Sequence, residues 1–146
     1  MDKLILNEKN ILLKVATEDK FSAIERVGRL LAENGYVRSE YIEGMKQRER
    51  DITTYMGNGI AIPHGTSAYV GYIEKSGIVV AQYPEGVDFG DGNTAYILVG
   101  IAGRDNEHLE ILSCIALVCQ DLDNVEKLKT AAAKEEIIRI LTEGDE

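Results

Sequence analysis

Two short apolar runs constrain this chain most: residues 78–81 (Ile-Val-Val-Ala) and residues 96–102 (Tyr-Ile-Leu-Val-Gly-Ile-Ala). Neither alternates polar with apolar residues, so as strands they leave no face for water and read as the buried centre of a sheet. Shorter apolar runs at residues 11–15 and 59–62 suit the same sheet. Phe21, Ile24, Val27, Leu30 and Leu31 recur at helical spacing ahead of a stop at Asn34-Gly35. Thr17 is expected to cap that helix, with Glu18 and Asp19 in its first turn. Ser39 would cap a second helix that carries Tyr41, Ile42 and Met45 on one face. Residues 51–58 read as loop or extended chain, and residues 83–92, rich in Gly with Pro84, as a turn-rich connection with Val87 and Phe89 pointing inward. Asp105 or Asn106 would cap a long helix to about Cys119, apolar round most of its circumference and therefore deeply buried. Shorter helices are expected over 124–130 and 134–141, with a frayed tail from Thr142. Strands and helices interspersed in this way predict an α/β fold, a sheet with helices on both faces, in a single domain spanning residues 1–146.

Composition narrows the function. With 146 residues the chain suffices for one substantial core. No apolar run approaches the ~20 residues that span a bilayer. The N-terminus lacks a basic region followed by a long apolar segment, so a cytoplasmic location without membrane insertion is expected. A net charge of −9 argues against a nucleic-acid partner, which demands Lys/Arg clusters. Cys114 and Cys119 sit about 140° apart around a helix, too divergent to bond, and read as small buried apolar residues.

The chemistry centres on Gly59-Ile60-Ala61-Ile62-Pro63-His64-Gly65-Thr66. Proline ends the strand ladder. The following glycine lets the backbone turn and a bulky group approach. His64 is therefore held by a rigid strand below and opened to solvent or a ligand above. Arg48 continues the stripe of Tyr41 and Met45 at i, i+4, i+7, and a guanidinium at the end of an inward face needs a carboxylate or phosphate. His108, one of only two histidines, falls in the first turn of the long helix, where unpaired N–H groups favour anions and a neutral imidazole. No third ligand stands at metal spacing, so neither a metal nor another cofactor is expected. Serine-hydrolase, Walker and dinucleotide signatures are lacking. A nucleophilic imidazole, an arginine and a second imidazole suit phosphoryl transfer, with Gly65 and Thr66 amides as further donors. On chemical grounds the chain is a phosphohistidine carrier.

Several motifs extend this reading: Gly35-Tyr36-Val37 with Tyr41, Arg48-Glu49, Thr54-Tyr55-Met56-Gly57, the His64 segment, Gln82-Tyr83-Pro84-Glu85-Gly86-Val87 with Phe89-Gly90, and Asn106-Glu107-His108. Through them the chain resembles, over about residues 10–141, the enzyme IIA domain of the bacterial phosphoenolpyruvate-dependent sugar phosphotransferase system. The likeness is to its mannitol/fructose class, most of all to mannitol-specific members. The resemblance implies a mixed sheet of about five strands flanked by helices. It implies that His64 is phosphorylated by the histidine-containing phosphocarrier protein and passes the group to a cysteine of enzyme IIB, coupled to uptake through membrane enzyme IIC. His108 would match the second active-site histidine and Arg48 the arginine beside it. Cys114 and Cys119, inside an apolar helix, are not placed like a IIB acceptor. Two other readings remain: a regulatory module of nitrogen or transcriptional control switched by phosphate on His64, and a catalytically silent scaffold.

Overall fold

Strand and helix positions follow from which residues must be covered. The computed structural model describes residues 6–104 and 107–143. Five strands, β1 (Ile11–Leu12), β2 (Tyr55–Gly57), β3 (Ile60–Ala61), β4 (Gly77–Gly90) and β5 (Asn93–Ala102), form one sheet in the order β1-β4-β5-β3-β2. β1 runs parallel to β4 and β3 parallel to β5, while β4/β5 and β2/β3 are antiparallel. The sheet is thus mixed, with Val80 opposite both Ile11 and Val99.

Side chains alternate across its central part. Val80, Ile97, Val99 and Ile101 meet α3 (Glu107–Cys119), α4 (Leu122–Thr130) and α5 (Lys134–Glu143) through Ile115, Leu128 and Ile137. Val79, Ala81, Leu98 and Ala102 meet α1 (Lys20–Glu33) and α2 (Tyr41–Asp51) through Ile24, Val27 and Met45. Each fully buried aliphatic side chain contributes about 1.5–3 kcal/mol. The expected helices on both faces are present.

Several local expectations fail for identifiable reasons. Asp19, not Thr17, caps α1 by accepting from the Ser22 amide at 2.9 Å; the Thr17 hydroxyl donates instead to the Gly86 carbonyl. α2 starts after Glu40, which gives no side-chain cap, so Ser39 does not serve. Within residues 51–58, read as loop or extended chain, residues 55–57 take the extended form as β2. β4 runs unbroken through Pro84 to Gly90 because the ladder to β5 shifts register between Gln82 and Val87. The amide that Pro84 lacks therefore costs the sheet nothing. α3 is less buried than its composition suggests, with Leu109 63% and Leu117 53% exposed; only the stripe of Ile111, Ile115, Val118 and Cys119 is covered. Its expected caps, Asp105 and Asn106, lie outside the described residues, as do residues 144–146 of the tail, whereas Thr142 belongs to α5. Among the described residues no helix is long and apolar enough to cross a membrane.

Gln82 ties the segment after β1 to the end of α4. Its buried side-chain carbonyl accepts from the Lys14 amide at 3.0 Å, and its amide donates to the carbonyls of Leu128 at 2.9 Å and Ala131 at 3.0 Å. Gln82→Ala leaves these groups unpaired, and is expected to lower unfolding free energy by about 2–3 kcal/mol. Urea unfolding checks this: the midpoint should fall with the slope unchanged, and an unaltered midpoint contradicts it.

Candidate active site

β3 ends at Ala61, and the next three residues are held at both sides. The Ile62 amide donates to Thr54 O at 3.0 Å, and Pro63 O accepts from the Ile101 amide at 2.9 Å. His64 then bridges to Ile101 in parallel fashion, which sets it alongside the last residues of β5. His64 Nδ1 lies 2.7 Å from Ile62 O. A carbonyl only accepts, so this bond places the ring proton on Nδ1 and leaves the Nε2 lone pair free. The ring is more enclosed than expected, at 8% exposed. Burial pushes its pKa down to about 4, with His108 and Arg48 adding to the effect and the Ile62 carbonyl and Glu49 opposing it. The ring is neutral at pH 7, as a nucleophile requires.

Part of its cover is His108, whose ring centre lies 5.0 Å away at an interplanar angle of 60°. His108 is the second residue of α3. Burial and then the Arg48 charge lower its pKa as well. The helix start closes onto the end of β5 because residue 103 is glycine; a Cβ there would lie 2.5 Å from His108 Cα.

Arg48 stands in the last turn of α2 and donates to the Ile52 carbonyl. Among the described residues no carboxylate ion-pairs with it. The carboxylate or phosphate that its placement calls for is thus not supplied by a protein side chain here. Nor is Arg48 the enclosed end of the helix face. That place belongs to Glu49, 4% exposed, at i+8 from Tyr41 and i+4 from Met45. Glu49 Oε1 accepts from the Thr54 amide and hydroxyl, both at 2.7 Å, and Oε2 lies 3.4 Å from Lys20 Nζ.

Tyr41 is the other residue that the motif reading did not place in the site. Its hydroxyl donates to Ile101 O at 3.0 Å and accepts from the Gly65 amide at 2.8 Å. Burial pushes this phenol up to about 12. A Cβ on residue 65 would lie 2.7 Å from the Tyr41 ring, so glycine alone allows the approach. The expectation that the Gly65 amide serves a phosphate is accordingly revised: that donor is committed to Tyr41. Among the described residues the Thr66 Oγ1 is buried without a hydrogen-bond partner. Thr66 and His108 both line a cavity of about 290 Å³ with Tyr41, Gly65 and Gly103. A larger cavity of about 480 Å³ beside α1 is walled by Glu18, Glu25, Arg26 and Arg29 and contains no histidine, whereas the smaller one is lined by His108 and by Gly65 next to His64. Among the described residues no group of three or more His, Cys, Asp or Glu is arranged to hold a metal ion.

The low pKa of His64 has a measurable consequence. The unfolded chain takes up the proton near 6.5 and the folded chain near 4. The neutral ring therefore supports the fold fully above about pH 6.5, and that support is lost as pH falls toward 4. An NMR titration should place the His64 midpoint well below that of a free imidazole; a midpoint at 6.5 contradicts the burial described.

Comparison with known proteins adds four findings. Residues 4–144 match the family described as phosphoenolpyruvate-dependent sugar phosphotransferase system, EIIA 2. The mannitol-specific phosphotransferase enzyme IIA component of Geobacillus stearothermophilus is 52% identical over 143 residues, covering 98% of this chain and 99% of the relative. That of Bacillus subtilis (strain 168) is 46% identical over 139 residues, covering 95% and 97%. Among solved structures, the complex of enzyme IIAMTL and phosphorylated enzyme IIBMTL from Escherichia coli aligns with a TM-score of 0.90 at 35% identity, covering 94% of this chain and 97% of the matched one.

Proposed function

This chain belongs to the phosphoenolpyruvate-dependent sugar phosphotransferase system EIIA 2 family, and on that premise we propose that His64 carries the phosphoryl group on Nε2. The chain is a phosphotransferase component of the enzyme IIA kind. In the proposed cycle the Nε2 lone pair attacks phosphorus of the phosphorylated histidine-containing phosphocarrier protein. The donor's P–N bond breaks and its electron pair stays on the donor nitrogen. A thiolate of enzyme IIB then attacks the same phosphorus, forming P–S as the bond to Nε2 breaks. Membrane enzyme IIC couples the relay to uptake, with mannitol as the sugar on the strength of the relatives. The IIB partner is supported by the E. coli complex with its phosphorylated IIB.

Arg48 neutralises charge on the equatorial oxygens, while the imidazole N–H of His108 and the Thr66 hydroxyl donate to them. We place the chain in the cytoplasm, where the donor lies, acting as one IIA domain. The observation that carries this reading is the Nδ1 bond to Ile62 O, which leaves Nε2 bare beside His108 and Arg48. Incubation with phosphoenolpyruvate, enzyme I and the phosphocarrier should add one acid-labile phosphoryl group per chain, transferable to the mannitol enzyme IIB. A chain that takes up none under those conditions contradicts the reading. A regulatory role for phosphorylated His64 is the less favoured alternative, since the mannitol components are 52% and 46% identical to this chain; phosphate retained in the presence of IIB would reverse that order.

A further inference from the structure

Glu49 takes no part in the transfer just described, yet its side chain is fully enclosed. Withdrawing a carboxylate from water costs several kcal/mol, and a single ion pair is a weak source of compensating stability. Its hydrogen bonds lead instead toward the nucleophile. Oε1 holds the Thr54 amide and hydroxyl, both at 2.7 Å. Thr54 O receives the Ile62 amide at 3.0 Å, and Ile62 O receives His64 Nδ1–H at 2.7 Å. Pro63 has no amide to give, so among the described residues the chain between β3 and His64 is registered by the Ile62 and Pro63 bonds.

We propose that Glu49 is the positioning residue that fixes the orientation and tautomer of the His64 ring, acting through Thr54 and the Ile62 carbonyl. It does not touch the phosphoryl group. The proposal rests on His64 as the phosphorylated nucleophile and extends that reading to what keeps Nε2 unprotonated. Without Glu49, residue 54 loses its anchor, the Ile62 carbonyl drifts, and the ring populates both tautomers. Nε2 then carries the proton in part of the molecules, and those molecules cannot attack. Arg48 sits on the same helical turn, so the segment that carries the charge also sets the ring.

The test compares Glu49→Ala, Glu49→Gln and Thr54→Val by ¹⁵N NMR of the His64 ring in unphosphorylated protein at pH 7, and by transfer kinetics. The unaltered chain should show one tautomer, protonated on Nδ1. Glu49→Gln retains an acceptor oxygen for Thr54, and should keep that tautomer with a rate within about threefold. Glu49→Ala should mix the tautomers and lower kcat about tenfold or more, with KM for the phosphocarrier within about twofold. Glu49→Ala folded with the native tautomer overturns the proposal, as does Glu49→Gln disturbing the tautomer as much as Ala does. Should Glu49→Ala fail to fold, Thr54→Val decides: a mixed tautomer supports the proposal and an unchanged one overturns it. The tautomer is read without any phosphoryl donor. Failure of phosphorylation in the unaltered chain is therefore distinct from failure of the positioning role.

Discussion

Replacement of His64 by alanine is expected to abolish phosphoryl acceptance, a loss on the order of 10⁴-fold or more, with the fold retained. The size of the effect follows from the absence of a substitute nucleophile in the described site. His108 is near, but in the proposed cycle it donates to the phosphoryl oxygens rather than attacking phosphorus. Burial pushes the Cys119 thiol up to about 12, so it supplies no thiolate. Tyr41 is held protonated by its burial and is spent on Ile101 and Gly65. Removing a ring that burial keeps neutral deletes no buried charge, but it leaves the Ile62 carbonyl without its donor, so the variant should stay folded with a loss of about 1–3 kcal/mol. Transfer to enzyme IIB followed over time supplies the check. Residual transfer within a hundredfold of the unaltered rate would mean that another group carries the phosphate.

Arg48→Ala and His108→Ala should each slow transfer by about 10²–10³-fold, the usual cost of losing one donor aimed at developing phosphoryl charge. The guanidinium bears on both imidazoles and pairs with no carboxylate among the described residues. It is therefore free to meet the incoming oxygens. Arg48→Lys should recover only part of the rate, because an ammonium cannot present the planar fork. The two side chains act on the same oxygens, so the double variant should lose less than the sum of the separate losses in free energy. Arg48 also donates to Ile52 O at the end of α2, which predicts a loss of about 1 kcal/mol in stability for its alanine variant. Rates within twofold of the unaltered protein for both variants would remove both from the mechanism.

What the sequence made readable, and what it did not, divides along physical lines. The buried strands around Ile78 and Leu98 could be read because a strand covered on both faces must be apolar at successive positions. The placement of His64 just past a strand end could be read because Pro63 and Gly65 frame it. The route of β4 past Pro84 was hidden, since a register shift depends on the partner strand and not on local residue preference. Glu49 was passed over in favour of Arg48 although both lie near the face of Tyr41 and Met45. Spacing alone does not distinguish them; the discriminating fact is the contact with Thr54, five residues on. The commitment of the Gly65 amide to Tyr41 is likewise a tertiary contact between residues 24 apart. α3 misled through composition: an apolar helix was expected to be buried, but Leu109 and Leu117 face outward.

The central claim is that phosphorus bonds to one particular nitrogen. In ¹⁵N-histidine-labelled protein phosphorylated by the phosphocarrier, ³¹P–¹⁵N coupling identifies that atom directly. The geometry predicts coupling to Nε2 of His64, with Nδ1 still protonated toward Ile62 O. Coupling to Nδ1, or to either nitrogen of His108, would contradict the account.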